Sequence, residues 1–211
     1  MLVFDFFSGT NSATQPFIDA GHTVISFEID GNFHATEHVN ILKLTAESLL
    51  AKYGRPDFIW ASPPCTAFSV ASMVHHWANG GRTPTPKTPQ AEEAQLMVAH
   101  TLNLISGLEP RLGWLMENPR GMLRKLSVVE GIPRRTLTYC QYGEDRMKPT
   151  DLWGSVQGWT PKEPCKNGMP CHVASPRGAN TGTQALVGAK ERSRVPYALG
   201  QEILTALERI Q

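Results

Sequence analysis

The sequence lacks the features of membrane-spanning, disordered and disulfide-framed proteins. No apolar run approaches the roughly 18 residues that a membrane span needs, and the start has no basic-then-apolar leader. The formal charge is only +1 and 41% of residues are apolar, which excludes a highly charged disordered chain. In a chain expected to stay in the cytoplasm, four cysteines indicate chemistry or metal binding rather than a disulfide framework. With 211 residues, we predict one globular domain, and a monomer.

Internal repeats, low-complexity tracts and the three-glycine dinucleotide fingerprint are also missing, but short apolar runs alternate with helical ones. This alternation is typical of a parallel sheet covered by helices. The sequence therefore predicts an α/β fold with a single doubly wound, Rossmann-like sheet. The predicted strands are Leu2–Phe7, Thr23–Glu28, Val39–Leu42, Asp57–Ala61, Leu112–Met116 and Thr136–Gln141, and the predicted helices are Thr14–Ala20, Glu47–Tyr53, Gln90–Ile105 and Pro196–Ile210.

Two stretches show no periodicity. Residues 62–89 are rich in Gly, Pro, Thr and His, and we interpret them as a long functional loop. Residues 159–188 are irregular and contain Cys, Pro and Gly throughout. We predict a core over 1–150, a small irregular insertion over 151–190, and a C-terminal helix over 191–211 that returns to the core.

The turn after the first strand has the composition of a ligand-binding loop. Gly9 allows the backbone to approach a ligand more closely than a residue with a Cβ would. Glu28 follows about twenty residues later, at the end of the second strand, where a carboxylate accepts hydrogen bonds from ribose hydroxyls. Either feature alone is also compatible with ordinary turn chemistry and an exposed acid. Together they predict a nucleoside-type cofactor.

A thiol and a carboxyl group follow two other strands. Pro63 and Pro64 fix the chain after the fourth strand and leave Cys65 at the edge of the sheet, a poor place for a buried structural cysteine. Glu117 ends the fifth strand, where partial burial would let it hold a proton. A thiolate that adds to C6 of a pyrimidine, with an acid at N3, makes C5 nucleophilic.

The order and spacing of these motifs resemble the DNA cytosine C5 methyltransferase family. Residues 5–9 are similar to that family's first motif, 28–30 to its second, 64–69 to its catalytic motif and 117–118 to its glutamate motif. Val195-Pro196 before a helix is similar to its last motif. The resemblance covers most of 1–126 and 190–211. It implies that 1–150 form the catalytic and cofactor-binding core and that 151–190 form a reduced target-recognition insertion. Because this insertion is so short, the chain resembles the small methylases of bacterial viruses, which act in the host cytoplasm.

The resemblance implies base flipping in double-stranded DNA and methyl transfer from S-adenosylmethionine to C5 of cytosine. It implies catalytic roles for Cys65 and Glu117, with Arg146 as the equivalent of a loop-holding arginine, although 142–148 match that motif only loosely. Asn40 replaces a usual acidic residue. The implied cofactor-binding residues are Asp5, Phe7, Ser8, Gly9, Thr10, Asn11, Glu28, Ile29, Asn40, Ile41, Ser62, Pro63 and Val195.

Two other functions stay open at this point. Ser62-Pro63-Pro64 is similar to the motif of methyltransferases that modify exocyclic amino groups of cytosine or adenine, but those enzymes need an aromatic residue at the next position, which here is Cys65. An inactive DNA-binding decoy of the same fold is the second alternative, and the presence of Cys65 and Glu117 counts against it.

Three cysteines and a histidine suggest a metal site in the second half. Cys140, Cys165, Cys171 and His172 flank or lie in the irregular stretch, which has too few apolar residues to form its own core. The alternative is three ordinary reduced thiols and an exposed histidine. We therefore carry structural zinc forward as a hypothesis.

Overall fold

The computed structural model describes residues 1–174 and 188–210. Seven strands form one sheet in the order β3-β2-β1-β4-β5-β7-β6. The first five are parallel, whereas β7 runs antiparallel to both of its neighbours. The strands are β1 (Leu2–Phe6), β2 (Thr23–Glu28), β3 (Glu37–His38), β4 (Phe58–Ala61), β5 (Gly113–Pro119), β6 (Arg134–Thr138) and β7 (Pro149–Val156).

Helices cover both faces of this sheet. The α-helices are α1 (Gln15–Asp19), α2 (Ala46–Tyr53), α3 (Met73–His76), α4 (Ala78–Gly81), α5 (Pro89–Leu108), α6 (Ala189–Ser193) and α7 (Tyr197–Glu208). The 3₁₀ turns are Ile41–Lys43, Met122–Lys125, Ser127–Val129 and Tyr139–Tyr142. Helices α2 and α5 pack together on one face, and α1 and α7 on the other. The predicted α/β architecture is therefore confirmed.

The alternation of side chains along the strands divides the core into two layers. Phe4 and Ile59 pack on the α2–α5 face, whereas Val3 and Phe58 pack on the α1–α7 face, and all four are fully buried. Strands that are apolar on both faces need helices on both sides. Because β1, β2, β4 and β5 are parallel, their carboxyl ends meet at one edge of the sheet, which is where ligands bind in such folds.

Two predicted strands are corrected by the structure. The third strand is Glu37–His38 rather than Val39–Leu42, because the Asn40 side chain accepts a hydrogen bond from the Leu42 N–H at 3.0 Å and starts a 3₁₀ turn instead. The sixth strand is Arg134–Thr138, and the chain turns into a 3₁₀ helix at Tyr139.

Strand β7 is absent from the sequence prediction. It begins at Pro149, contains Gly154 at φ +95° and buries a charged residue, Asp151, so its pattern is not that of an ordinary central strand. Arg124 pairs with the Asp151 carboxylate through two hydrogen bonds of 2.5 and 2.9 Å, which satisfies that buried charge. Residues 151–156, assigned above to the recognition insertion, lie in the central sheet, and the irregular stretch starts after Val156. Residues 175–187 of that insertion lie outside the described residues.

Among the described helices, none is long and apolar enough to cross a membrane.

Candidate active site

The loop between β1 and α1 has a strained backbone that Glu28 holds in place. Phe7, Gly9 and Asn11 all have positive φ angles, of +60°, +48° and +55°. The Gly9 N–H donates to Glu28 Oε2 at 2.8 Å, and the Ile29 N–H donates to Oε1 of the same carboxylate at 2.8 Å. Glu28 therefore joins the two loops in which most of the predicted cofactor residues lie.

Three polar atoms of the β1–α1 loop region are buried without a hydrogen-bond partner within the described part of the chain. They are Asp5 Oδ1, Ser8 Oγ and Asn11 Oδ1. Native proteins pair nearly all buried polar atoms, so a cluster of unpaired ones indicates a site that a ligand completes. An added Cβ at Gly9 would meet nothing within 4 Å, which shows open space beside the loop. These observations fit a polar cofactor such as S-adenosylmethionine.

Asp5 lies beneath this loop and is almost fully buried. Burial raises the pKa of its carboxyl group to about 7, with the nearby Glu28 charge adding to the effect. The Thr14 hydroxyl opposes that rise by donating to Asp5 Oδ2 at 2.5 Å. The carboxyl group is thus close to its titration point at neutral pH.

The other predicted cofactor residues surround the same edge of the sheet. The Asn40 side chain caps the 3₁₀ turn described above, and Ile41 is buried in the core. Thr10 follows Gly9 and is partly exposed, whereas Ile29 is 66% exposed despite its apolar side chain. The Val195 N–H donates to Ser12 Oγ at 3.0 Å, which joins the C-terminal part of the chain to the β1–α1 loop.

The turn after β4 presents Cys65 at this edge. Ser62 Oγ accepts a hydrogen bond from the Trp60 indole at 2.7 Å, and the Pro63 carbonyl accepts one from Asn118 Nδ2 at 2.9 Å. The Cys65 carbonyl accepts the N–H groups of Phe68 and Ser69, each at 2.9 Å. These bonds fix Ser62 and Pro63 to β4 and β5 and close a tight turn after the thiol.

The chain beyond Cys65 is anchored as well. The Met122 N–H donates to the Phe68 carbonyl at 2.7 Å, and an added Cβ at Gly121 would come within 2.1 Å of that carbonyl oxygen, so only glycine fits there. The buried Trp77 indole stacks near Phe68 and donates to the Ala67 carbonyl at 2.7 Å. The predicted long loop at 62–89 thus contains two short helices, α3 and α4, and a partly packed interior.

Charges from β5 and from the 144–148 loop act on the thiol. Burial raises the pKa of Cys65, the negative charge of Glu117 raises it further, and the positive charge of Lys148 lowers it. Glu117 is buried, and its Oε1 accepts a hydrogen bond from the Tyr139 hydroxyl at 3.0 Å and lies 3.7 Å from Lys148 Nζ. The structure therefore brings Cys65 and Glu117 to one site, with Tyr139 and Lys148 beside the carboxylate.

Arg146 is buried next to this group. Its guanidinium donates to Glu144 at 2.6 Å and to backbone carbonyls of residues 191, 192 and 194 at 3.0–3.3 Å. Lys148 Nζ donates to the Arg192 carbonyl at 3.2 Å. The two cations thus hold the chain around α6 against the 144–148 loop. Arg146 itself contacts protein rather than the thiol, so its position is that of a supporting residue.

Tyr139 is the buried polar residue near Glu117 that the sequence analysis missed. Its ring lies 4.5 Å from Lys148 Nζ and 5.8 Å from the Arg146 guanidinium carbon. The sequence could not place Tyr139 beside Glu117, because β7 lies between β6, which precedes Tyr139, and β5, which contains Glu117, and β7 was not predicted.

The predicted metal-binding residues also meet. One ligand atom from each of Cys140, Cys165, Cys171 and His172 lies within 4.8 Å of all the others. Cys140 lies in the Tyr139–Tyr142 turn, and the other three residues follow Val156 in the chain.

Comparisons with known proteins agree with these features. The chain is 26% identical over 219 residues to a protein of Frog virus 3 (isolate Goorha) named probable DNA (cytosine-5)-methyltransferase, and the match covers 97% of this chain and 99% of the viral one. The resemblance predicted from the motifs is confirmed. No protein-family model matches the chain.

Solved structures of methyltransferases share the fold. The methyltransferase EhMeth of Entamoeba histolytica aligns with a TM-score of 0.53 at 13% identity, over 74% of this chain and 53% of that one. The Dnmt2 methyltransferase of S. pombe aligns with a TM-score of 0.49 at 15% identity, over 76% of this chain and 51% of that one. The chain thus spans about half the length of these structures, and the alignment with EhMeth supports the Rossmann-like methyltransferase fold.

Proposed function

We propose that the chain is a DNA cytosine C5 methyltransferase with Cys65 as its nucleophile. The observation that carries this proposal is the convergence of Cys65 and Glu117 at the carboxyl ends of neighbouring strands, where the charge of Glu117 acts on the thiol. The name of the viral relative supports the same reaction. The aromatic residue that an amino methyltransferase needs after Pro-Pro is replaced by Cys65, which disfavours that alternative.

S-adenosylmethionine fits the loop between β1 and α1 and, when bound, supplies the electrophilic methyl group. Glu28 would accept hydrogen bonds from the ribose hydroxyls, and Phe7 and Ile29 offer apolar surface for the adenine. The unpaired atoms Asp5 Oδ1, Ser8 Oγ and Asn11 Oδ1 would receive donors from the cofactor or from water that it orders. Val195, bonded to Ser12, would close this side of the site.

Covalent addition activates the target base in this scheme. A cytosine must leave the DNA stack to reach Cys65, at a cost of a few kcal/mol. The Cys65 thiolate forms an S–C6 bond while Glu117 engages N3, so the electron pair of the C5–C6 double bond becomes available at C5 for methyl transfer. Methyl transfer would leave S-adenosylhomocysteine. The C5 proton would then pass to solvent, and the electron pair of its C–H bond would re-form the C5–C6 double bond and expel the Cys65 thiolate, which releases 5-methylcytosine.

The residues around Cys65 favour the thiolate and orient the carboxyl group that this cycle needs. Burial alone would keep the thiol protonated at neutral pH, and Lys148 opposes that effect by favouring the thiolate. Tyr139 donates a hydrogen bond to Glu117 and orients its carboxyl group. Arg146 keeps the chain around α6 in place and acts as a positioning residue.

Double-stranded DNA is the proposed substrate. With residues 151–156 in the sheet, recognition of a base sequence falls to the chain after Val156 and to the loop that follows Cys65. The exposed basic residues Arg120, Lys125, Arg134 and Arg135 offer contacts to DNA phosphates.

Trapping with 5-fluorocytosine tests the proposal directly, because fluorine at C5 cannot leave as a proton and the covalent adduct persists. With S-adenosylmethionine present, we expect wild-type protein to form a denaturant-resistant adduct with fluorinated duplex DNA, and Cys65→Ser to form none. An adduct with fluorinated RNA but not DNA would reassign the substrate. Binding of DNA without any adduct would identify the inactive decoy, and methylation of an exocyclic amino group would identify the amino methyltransferase.

A further inference from the structure

Four potential metal ligands from separate parts of the chain form a compact group, which we name the thiol cluster: Cys140, Cys165, Cys171 and His172. Cys140 lies in the 3₁₀ turn after β6 and is buried, whereas the other three lie on the irregular chain after Val156 and are partly buried. Cys65, the remaining cysteine of the sequence, belongs to the candidate active site.

Three of the distances within the thiol cluster match tetrahedral coordination. Cys171 Sγ lies 3.7 Å from Cys140 Sγ and 3.7 Å from His172 Nδ1, and Cys165 Sγ lies 3.7 Å from the same nitrogen. Around zinc, with Zn–S bonds of about 2.3 Å, tetrahedral geometry places ligand sulfurs about 3.8 Å apart. Cys140 Sγ and Cys165 Sγ are closer, at 3.1 Å, but well beyond the ~2.05 Å of a disulfide bond.

Apart from contacts of Trp159 with Glu202 and of Lys162 with Tyr142 and Glu202, the chain that supplies three of these ligands has few interactions that order it. None of the side chains from 157 to 174 is buried, and the partly buried ones are Trp159, Pro161 and the three cluster residues of this stretch. Fixing the backbone costs about 1–2 kcal/mol per residue, which a few exposed contacts do not offset. A bound ion would supply the missing stabilisation, since the free energy of metal binding becomes free energy of folding.

The surroundings support the ligands. Gln141 Nε2 donates to Cys171 Sγ at 3.4 Å, and the Cys165 N–H donates to Thr138 Oγ1 at 2.9 Å. The Val173 N–H, just beyond His172, donates to the Asp145 carbonyl at 2.7 Å. Such contacts around metal ligands fix their orientation.

We propose that the thiol cluster binds one zinc ion that fastens the irregular chain after Val156 to the turn beginning at Tyr139. Three thiolates and a neutral imidazole form a closed Cys₃His site, which is a structural rather than a catalytic coordination set. Cys140 follows Tyr139 directly, and Val173 is bonded to the loop that carries Arg146 and Lys148. The ion would therefore stabilise the side of the active site that contains Glu117, although the metal site does not depend on the proposed reaction.

Metal content tests the proposal first. Wild-type protein purified without chelator should hold about one zinc per chain by elemental analysis, as expected for a closed structural site. Cys171→Ala should lose the ion, whereas Cys65→Ser, the matched control at the one cysteine outside the thiol cluster, should retain it. Equal zinc content in Cys171→Ala and wild type would overturn the assignment.

Cobalt substitution of wild-type protein avoids dependence on variants that fail to fold. After removal of zinc, Co²⁺ should produce the intense visible bands of a tetrahedral site and a thiolate charge-transfer band, and added Zn²⁺ should abolish both. The chelated protein should melt at a lower temperature, and Zn²⁺ should restore the original value. Chelated protein that binds no Co²⁺, chelator-insensitive melting, or a metal-free Cys140–Cys165 disulfide found by thiol counting would each overturn the proposal.

Discussion

The two sides of the candidate active site differ in how their buried polar groups are partnered. On the cofactor side, three buried atoms of Asp5, Ser8 and Asn11 lack a hydrogen-bond partner among the described residues. On the catalytic side, Glu117 and Arg146 are buried with named partners, since Tyr139 and Lys148 contact Glu117 and Glu144 contacts Arg146, and only Asn118 Oδ1 lacks a partner among the described residues there. A ligand would complete the first arrangement, whereas the charged groups of the second already have protein partners. The same sheet edge thus combines an incomplete binding loop with a preorganised reactive group.

The largest expected effect comes from removing the nucleophile, which should affect turnover on the catalytic side but not binding on the cofactor side. Cys65→Ser should lower turnover at least about a thousandfold, because a hydroxyl is far less nucleophilic than a thiolate at neutral pH. Cofactor binding should be nearly unchanged, since Cys65 lies outside the β1–α1 loop. Methylation of duplex DNA with labelled cofactor, together with calorimetry of cofactor binding, measures both quantities. Comparable turnover in the variant would contradict covalent catalysis.

The second effect concerns the buried carboxyl group of Asp5 on the cofactor side. Burial raises the pKa of Asp5 from 3.8 to about 7 in the folded protein. The unfolded chain therefore loses its proton first as pH rises, so this residue lowers the free energy of unfolding between about pH 4 and pH 7. The total decrease in the free energy of unfolding is about 4 kcal/mol, because each tenfold difference in proton affinity contributes about 1.4 kcal/mol. Asp5→Asn should remove this decline.

Urea denaturation at about pH 5 and about pH 8 measures that decline. Asp57→Asn is the matched control. Burial acts to raise the pKa of Asp57, but hydrogen bonds from the Leu2 N–H and Arg111 outweigh it and lower that pKa, so the carboxyl group does not titrate in this range. The control should lose stability equally at both pH values. An unchanged pH dependence in Asp5→Asn would show that Asp5 is not the titrating group.

The sequence predicted the strands on the cofactor side of this comparison well and those on the catalytic side only in part. Uninterrupted apolar runs identified β1, β2 and β4, and the positions of Gly9, Glu28 and Cys65 follow from where those strands end. Strand β7 escaped because Pro149, Asp151 and Gly154 break the usual pattern. Without β7, the sequence could not place Tyr139 beside Glu117, or show that Arg146 binds the backbone near α6.

Local hydrogen bonding accounts for the smaller errors. The Asn40 side chain competes with strand pairing and converts the expected third strand into a 3₁₀ turn. The ligands of the thiol cluster, in contrast, are predicted by residue type alone, because cysteines in or beside a stretch with too few apolar residues for its own core suggest a metal. Its geometry required the three-dimensional structure, since Cys140 is distant in sequence from the other ligands.

A smaller effect is expected from Glu28, which joins both loops of the cofactor side. Glu28→Ala should weaken S-adenosylmethionine binding by about 1.5–3 kcal/mol, because it removes a charged acceptor for ribose hydroxyls. It also removes the acceptor of the Gly9 N–H, so stability should fall as well. Asp30→Ala, which keeps the Glu28 carboxylate, is the control. Equal dissociation constants for wild type and Glu28→Ala by calorimetry would place the cofactor elsewhere.

The smallest expected effect tests whether the charges on the catalytic side act on Cys65 in opposite directions. Burial is the main cause of the raised pKa of this thiol, and it persists when either neighbouring charge is removed. Glu117→Gln removes the negative charge and should lower the pKa of Cys65, whereas Lys148→Met removes the positive charge and should raise it. The two pKa shifts should therefore have opposite signs. The pH dependence of Cys65 alkylation by iodoacetamide, followed by mass spectrometry of the peptide, measures the pKa.

Tyr139→Phe is the control that separates charge from packing. It removes the hydrogen bond to Glu117 but retains both charges and the aromatic ring beneath Lys148, so the pKa of Cys65 should move less than in either charge variant. Shifts of the same sign in Glu117→Gln and Lys148→Met would mean that altered burial dominates. Shifts of opposite sign, with a small change in Tyr139→Phe, would establish that the preassembled charges of this side set the reactivity of the thiol before DNA arrives.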